Sequence, residues 1–494
     1  MPESCFIVLD QGSSSSRAFA ISASGQIKAR GQKELVASFP KPGWAEYDPA
    51  ALLGSQLDAL DSVLAQLPEG GASIPLGIAS QRSTVLLWDA QTGRCFCPAI
   101  SWQDGRALPQ LSALKLDHAG LFALTGLYKT PYYSAPKIRW CLDNYPEAAK
   151  ALSEGRLRIG PVTTYLLWQL SGGKVFTIEP TLAQRMLLFN IHTGDWEPRL
   201  LDAFGLTREA LPQIGPSFGE LLSFERSGKK LVVKACLGDQ QAALSGAGGW
   251  RTGTAVINYG TGAFFLANTG SVVCKVPGLL CSSGWDCGKK GASPVYLAEG
   301  TVHAASSMFD WLAQLGLQFN KKELDSLCAQ SENPVLALPA LGGLGAPHWD
   351  YSVGTTFSGL APRTTKADLL RGVVEGIAFL VSDIVLPLEK SGVLVDKLIA
   401  SGGLANLDCL LQFQADILQK TVFRNSEVET TALGVAYWLA SQSGIDASVW
   451  KAFSPVKEFR PSRTPEQAAR LLRRWEAMRE GSRALAAAVN KASI

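Results

Sequence analysis

The chain has 494 residues, with 46 Lys plus Arg against 43 Asp plus Glu, a net charge of +3 and no clustered basic run. That balance carries no electrostatic footprint for nucleic acid or for an anionic membrane. With 47% hydrophobic and 18% charged residues, 48 Gly and 26 Pro, it reads as a soluble globular protein of about two to four domains, neither collagenous nor disordered.

The chain opens Met1-Pro2-Glu3-Ser4-Cys5 and then runs apolar from Phe6 to Leu9. Lacking a basic region and a long apolar core, this is not read as a secretory signal. The most apolar later stretch, Gly376 to Leu388, is interrupted by Asp383 and falls short of the ~18 clean residues of a membrane span. The ten cysteines are scattered, which is read as reduced thiols and a cytoplasmic address. Cys95-x-Cys97 and Cys281…Cys287 are a weak metal signal, since none of the four histidines stands at zinc spacing.

One pattern occurs twice. The first copy is a strand, Phe6 to Leu9, then Asp10-Gln11-Gly12 and four serines, then an alternating run from Arg17 to Ser22. Between the copies, Ala51 to Leu67 has helical spacing, Ile74 to Ser80 reads as a strand, and Lys137 to Leu142 looks like the start of an amphipathic helix. The apolar run Leu231 to Leu237 leads into Gly238-Asp239-Gln240-Gln241, a strand-to-helix junction. The second copy is Ala255 to Asn258, Tyr259-Gly260-Thr261-Gly262, then Ala263 to Ala267. Both copies read as hairpins with glycine and small hydroxyls at the tip, half a chain apart. They predict two related α/β domains, 1–247 and 248–494. Farther on, Thr364 to Leu386 is a long helical pattern that Pro387 is expected to end. A strand follows at Lys397 to Ala400, then a turn at Gly402-Gly403, a helix over Leu407 to Leu418, and a final charged helix capped by Thr464.

There is no G-x-x-x-x-G-K-[ST] loop, no G-x-S-x-G elbow and no helical G-x-G-x-x-G after a first strand. A Rossmann dehydrogenase and a serine hydrolase are therefore poorly supported. Four segments fit one phosphoryl-transfer site, each with a plainer alternative. Asp10 at a strand end can hold Mg²⁺ beside a phosphate-wrapping turn, or cap that turn. Asp239 can take a proton from a substrate hydroxyl, or serve as a helix N-cap. Gly260-Thr261 is a second phosphate loop or an ordinary turn. Ser401-Gly402-Gly403 lets a nucleoside approach the backbone, or is a common Gly-Gly pair. Between the hairpins, Arg82, Trp102 and Tyr132 lie in polar, aromatic stretches that suit a small hydroxylated substrate.

At these residues the sequence resembles the FGGY carbohydrate kinases, nearest the branch acting on glycerol. The matching segments include LDQGSSSSRA, FPKPGWAEYDP, IASQRST, ISWQDGR, PYYSAPKIRW, GDQQAAL, NYGTGAFFLANTG and GGLANLDCLLQFQADIL, in order along nearly the whole chain. The resemblance implies two ribonuclease-H-like domains of the actin and hexokinase type around a cleft. It implies ATP and Mg²⁺, and transfer to a primary hydroxyl of a small polyol. Glycerol is the first candidate acceptor, and another polyol or a ketose sugar is the alternative. A non-catalytic nucleotide- or polyol-binding regulator is a remote third reading. The implied partners are a polyol and ATP, with no nucleic acid or membrane and with a homo-oligomer left open.

By the same resemblance Asp239 is the catalytic base and Asp10 the metal-associated carboxylate. Ser13, Ser14, Arg17, Gly260 and Thr261 meet the phosphates. Arg82, Ser83, Trp102, Tyr132, Asp239, Gln240 and Phe264 contact the polyol, while Ser306, Asp310, Gly402 and Gly403 lie on the adenosine side. Four positions depart from the family pattern: Ser83 stands where a Glu is usual, Ser306 and Asp310 replace a Gly and a Gln, and Leu407 replaces an amide. The segment Phe224 to Lys234 lacks the Gly-Thr-Arg pattern that binds a sugar bisphosphate in some members, so that inhibition is not carried over.

Overall fold

The computed structural model describes residues 5–69, 73–287, 293–425 and 429–492; residues 1–4 of the amino-terminal reading lie outside them. The chain forms two compact units. The first comprises Met1–Gly248, Ser282–Val295 and Glu429–Lys451, and the second Gly249–Cys281, Tyr296–Val428 and Ala452–Ile494. Two later stretches thus return to the first unit, which a single border near residue 247 does not contain.

The first unit is built on a six-stranded sheet in the order Phe218–Arg226, Lys229–Gly238, Ile74–Ser80, Cys5–Gln11, Ser15–Ser22, Ile27–Glu34. Phe6, Ile7, Val8 and Leu9 are all buried, because a central strand covered on both faces needs an unbroken apolar run. Cys5–Gln11, Ile74–Ser80 and Lys229–Gly238 run parallel, with Gln11 and Gly238 both level with Ser80. Three carboxyl ends therefore finish side by side, the place where open α/β sheets bind ligands. The helix Pro49–Leu64 buries Leu52, Leu60, Val63 and Leu64 in the same core, its first turn capped by Asp48. A second, four-stranded sheet pairs Glu46–Tyr47, Ala99–Ile100, Val85–Asp89 and Leu157–Pro161; the sequence reading had no counterpart for it.

The second unit repeats the order. Thr254–Tyr259 and Ala263–Gly270 form the hairpin, Tyr296–Val302 adds an antiparallel third strand, and Lys397–Ser401 and Val422–Arg424 continue in parallel. That repetition is the doubled α/β architecture expected from the sequence. The helix Lys366–Lys390 starts at a capping box of Thr365 and Asp368. It does not stop at Pro387 but runs one further turn. Proline removes a single N–H, Leu388 is fully buried, and the Ser391 amide closes on the Pro387 carbonyl at 3.1 Å. Asp383, on this helix, accepts from Trp475 and from Arg479 at 2.6 Å, which fastens the final helix, Pro465–Ala492. Among the described residues no helix is long and apolar enough to cross a membrane.

Candidate active site

The first hairpin closes through the Gly12 amide on the Ser15 carbonyl, 3.0 Å, with Asp10 opposite Arg17 across the strands. Arg17 reaches Asp10 at 2.6 Å and, on its other nitrogen, Glu429 at 2.9 Å. The residue expected to meet phosphates is thus held between two carboxylates of its own unit. Asp10 is 2% exposed. Burial pushes its carboxyl up to about 6; Arg17 pulls it down, while the charges of Asp239 and Glu429 add to the rise. A buried carboxylate crowded by like charges fits a cation partner. Among the described residues no three His, Cys, Asp or Glu side chains converge as a metal cage.

The tip is tied to the neighbouring segments. Ser13 accepts at its hydroxyl from the Trp102 indole, 2.9 Å, and at its carbonyl from Tyr47, 2.9 Å. Gln81 donates to Gln11 and to the Gly12 carbonyl and accepts from Thr84, whose oxygen takes the Trp102 amide. Ser14 is exposed at the tip, its carbonyl taken by the Leu35 amide.

Asp239 opens the helix Asp239–Gly246 one residue after the strand end at Gly238. The N-cap is Gly238, so the plainer reading of Asp239 as the cap does not hold. Its Oδ1 accepts from the Gln240 amide at 2.8 Å and lies 3.5 Å from Arg82 Nε, both side chains partly open to solvent. Gln240 is half-buried beside it. The Gly238 amide donates to Thr181 Oγ1 at 2.7 Å, and Thr181 in turn bonds the buried Glu179. Glu179, Thr181, Glu429 and Gln11, which bond to the candidate residues or to their neighbours, were not singled out by the sequence. The Glu-Pro start of a short helix at Glu179 was a readable cap signal, whereas Glu429 had none.

Trp102 and Tyr132, expected on the acceptor side, are 39% and 50% exposed. Ser83 is not: it is buried with φ +66°, and its hydroxyl donates to the Arg185 carbonyl at 3.3 Å. The hydroxyl expected at the acceptor is instead engaged by a backbone carbonyl of its own unit.

In the second unit, Gly260 and Thr261 cap the second hairpin, their carbonyls accepting from the amides of Ser306 and Ala305 at the start of the helix Ser306–Gln314. Gly402 has φ +86° and packs where a Cβ would meet Asn258 Oδ1 at 2.4 Å and the Tyr259 carbonyl at 2.6 Å. Only glycine brings that turn against the hairpin. Gly403 faces open space. Asp310 lies one turn beyond Ser306 and is paired with Lys321 at 2.5 Å on the exposed face. Phe264 is 39% exposed on the hairpin's second strand.

The model for the N-terminal domain of the FGGY family of carbohydrate kinases matches residues 5–246, and that for the C-terminal domain matches 255–443. With a duplicated α/β core and a hydroxyl-rich hairpin in each half, the chain belongs to the FGGY family of carbohydrate kinases. It is similar to the glycerol kinase of Rhodopirellula baltica, 38% identical across 97% of this chain and 90% of the relative. It is also similar to the glycerol kinase of Thermus brockianus, 40% identical across 87% and 88%. Among solved structures, Plasmodium falciparum glycerol kinase with ADP superposes with a TM-score of 0.91 at 26% identity, covering 97% of this chain and 98% of that one.

Proposed function

We propose that this chain is a cytoplasmic kinase that transfers the γ-phosphoryl group of ATP to a primary hydroxyl of a small polyol, with glycerol as the acceptor. The relatives named glycerol kinase support the acceptor. The observation that carries the chemistry is Asp239, partly open beside Arg82 at the ends of three parallel strands. In this reading Asp239 Oδ accepts the proton of the attacking hydroxyl, while Arg82 holds a neighbouring hydroxyl. Trp102 and Tyr132 give the carbons an apolar plane. The amides and hydroxyls of Ser13 and Ser14, and those of Gly260 and Thr261, bind phosphate oxygens, and Gly402 and Gly403 border the adenosine. Asp10 would hold Mg²⁺, which when bound supplies charge neutralisation at the phosphates. Positioning and charge account for the rate, as in phosphoryl transfer generally.

The test is ADP release from ATP and Mg²⁺ with glycerol and with four- and five-carbon polyols and ketoses. The reading expects the highest kcat/KM for glycerol. A higher value for a longer polyol or a ketose replaces the acceptor, and no release with any of them overturns the kinase reading. Ser83→Glu belongs in the same assay. If position 83 sets acceptor choice, the carboxylate shifts the ratio of specificity constants toward glycerol; an unchanged ratio assigns that choice elsewhere.

A further inference from the structure

The polyol-side residues Arg82, Trp102 and Tyr132 come from three loops separated in sequence, and one side chain touches the backbone of all three. Lys137 is 0% exposed, on the helix Ser134–Asn144. Its ammonium donates to the carbonyls of Tyr132 at 2.6 Å, Ser101 at 2.7 Å and Ser83 at 3.2 Å. Ser101 directly precedes Trp102, and Ser83 directly follows Arg82. We propose that Lys137 is a positioning residue for the acceptor: its three N–H bonds fix the Arg82, Trp102 and Tyr132 loops relative to one another, and so set polyol affinity. This rests on the kinase reading above and deepens it.

Two observations support the assignment. A buried ammonium is tolerated only when its donors are engaged, and Lys has three donors and no acceptor; here the three match three carbonyls. Packing alone would be served by an apolar side chain, which needs no such match. Finally, Ser83 holds a left-handed backbone, φ +66°, unfavourable for a residue with a Cβ. Its carbonyl takes a second donor from the same helix, the hydroxyl of Ser134, the helix's first residue, at 3.2 Å. The helix start thus clamps the strained loop that carries Arg82.

Lys137→Met removes the donors at similar volume, and Lys137→Gln keeps two N–H groups on a shorter stem. The expected result is a glycerol KM raised about tenfold or more for Met and less for Gln. The KM for ATP should stay within about twofold and kcat should fall less than the glycerol KM rises. Hydrogen exchange should show residues 82–84, 101–103 and 131–133 losing protection together in Lys137→Met, with the 5–22 hairpin unchanged. An unchanged glycerol KM with unchanged exchange in folded variants overturns the proposal. So does failure of both variants to fold, which would make Lys137 a plain core residue. If the natural protein phosphorylates no polyol, the kinase reading falls, and the exchange comparison still decides whether Lys137 clamps the loops.

Discussion

At the scale of single residues, chemistry and architecture share the same atoms. Asp239 begins a helix and is the proposed proton acceptor; Asn keeps the oxygen that takes the Gln240 amide but cannot take a proton. Asp239→Asn is therefore expected to fold normally, bind ATP with little change, and lose about 10²–10⁴-fold in kcat. A rate within twofold of the natural protein would remove Asp239 from that role. Lys137 leads to a pH prediction. Burial pushes its pKa down to about 7, with Asp104 and Cys141 pulling it up and Arg106 adding to the fall. Below that value the ammonium has three donors for three carbonyls; above it the amine has two. The glycerol KM should accordingly rise about three- to tenfold from about pH 6 to about pH 8.5. Lys137→Met, with nothing to titrate at that position, should show a smaller rise; equal pH profiles for both proteins would sever the link.

At the scale of elements, what places Asp239 is the contact between its helix, Asp239–Gly246, and the returning helix Thr430–Gln442. Trp438 donates to Ser245 at 3.0 Å across this contact. At Gly434 an added Cβ would lie 1.9 Å from the Ala242 carbonyl oxygen, so the backbones touch. Gly434→Ala must push the helices apart, and overpacking of this kind costs about 1–3 kcal/mol or more. Urea unfolding should show that loss, and kcat should fall as well because Asp239 moves with its helix. A stable and fully active Gly434→Ala protein would show that the contact has slack. The pattern around Gly238-Asp239 made this junction legible from sequence, because an apolar run ending in Gly-Asp is a local signal. The partner helix, nearly two hundred residues later, leaves no such signal.

At the scale of the whole chain, the units are not consecutive halves. The returning helix Thr430–Gln442 covers the strands Cys5–Gln11, Ile74–Ser80 and Lys229–Gly238. Its Val435 packs so close to Gly77 that an added Cβ there would lie 2.2 Å from it, and Gln442 donates to the Lys234 carbonyl at 3.0 Å. A fragment of residues 1–247 would leave that sheet face bare and Arg17 without Glu429. It is expected to lack a cooperative unfolding transition and to bind a hydrophobic dye. A cooperatively folding, dye-negative fragment would make the returning segments dispensable.

The sequence by itself determined those elements, and those parts of the candidate site, whose signal lies within one short stretch. Both hairpins, the strand Ile74–Ser80, the Asp239 junction and the Gly402 turn are written in apolar period, glycine and hydroxyl placement, which act over a few residues. Only the tertiary structure decided that Arg17 meets Glu429, 412 residues away, that the Ser83 hydroxyl turns to Arg185, and that one lysine holds three loops. It also decided that Pro387 fails to end its helix, because burial of the following residue outweighs one missing amide. The reason is common to all four. Hydrophobic period reports which face of an element is buried, while the group it is buried against depends on how distant segments pack, and carbonyl acceptors such as those around Lys137 have no side-chain identity to read.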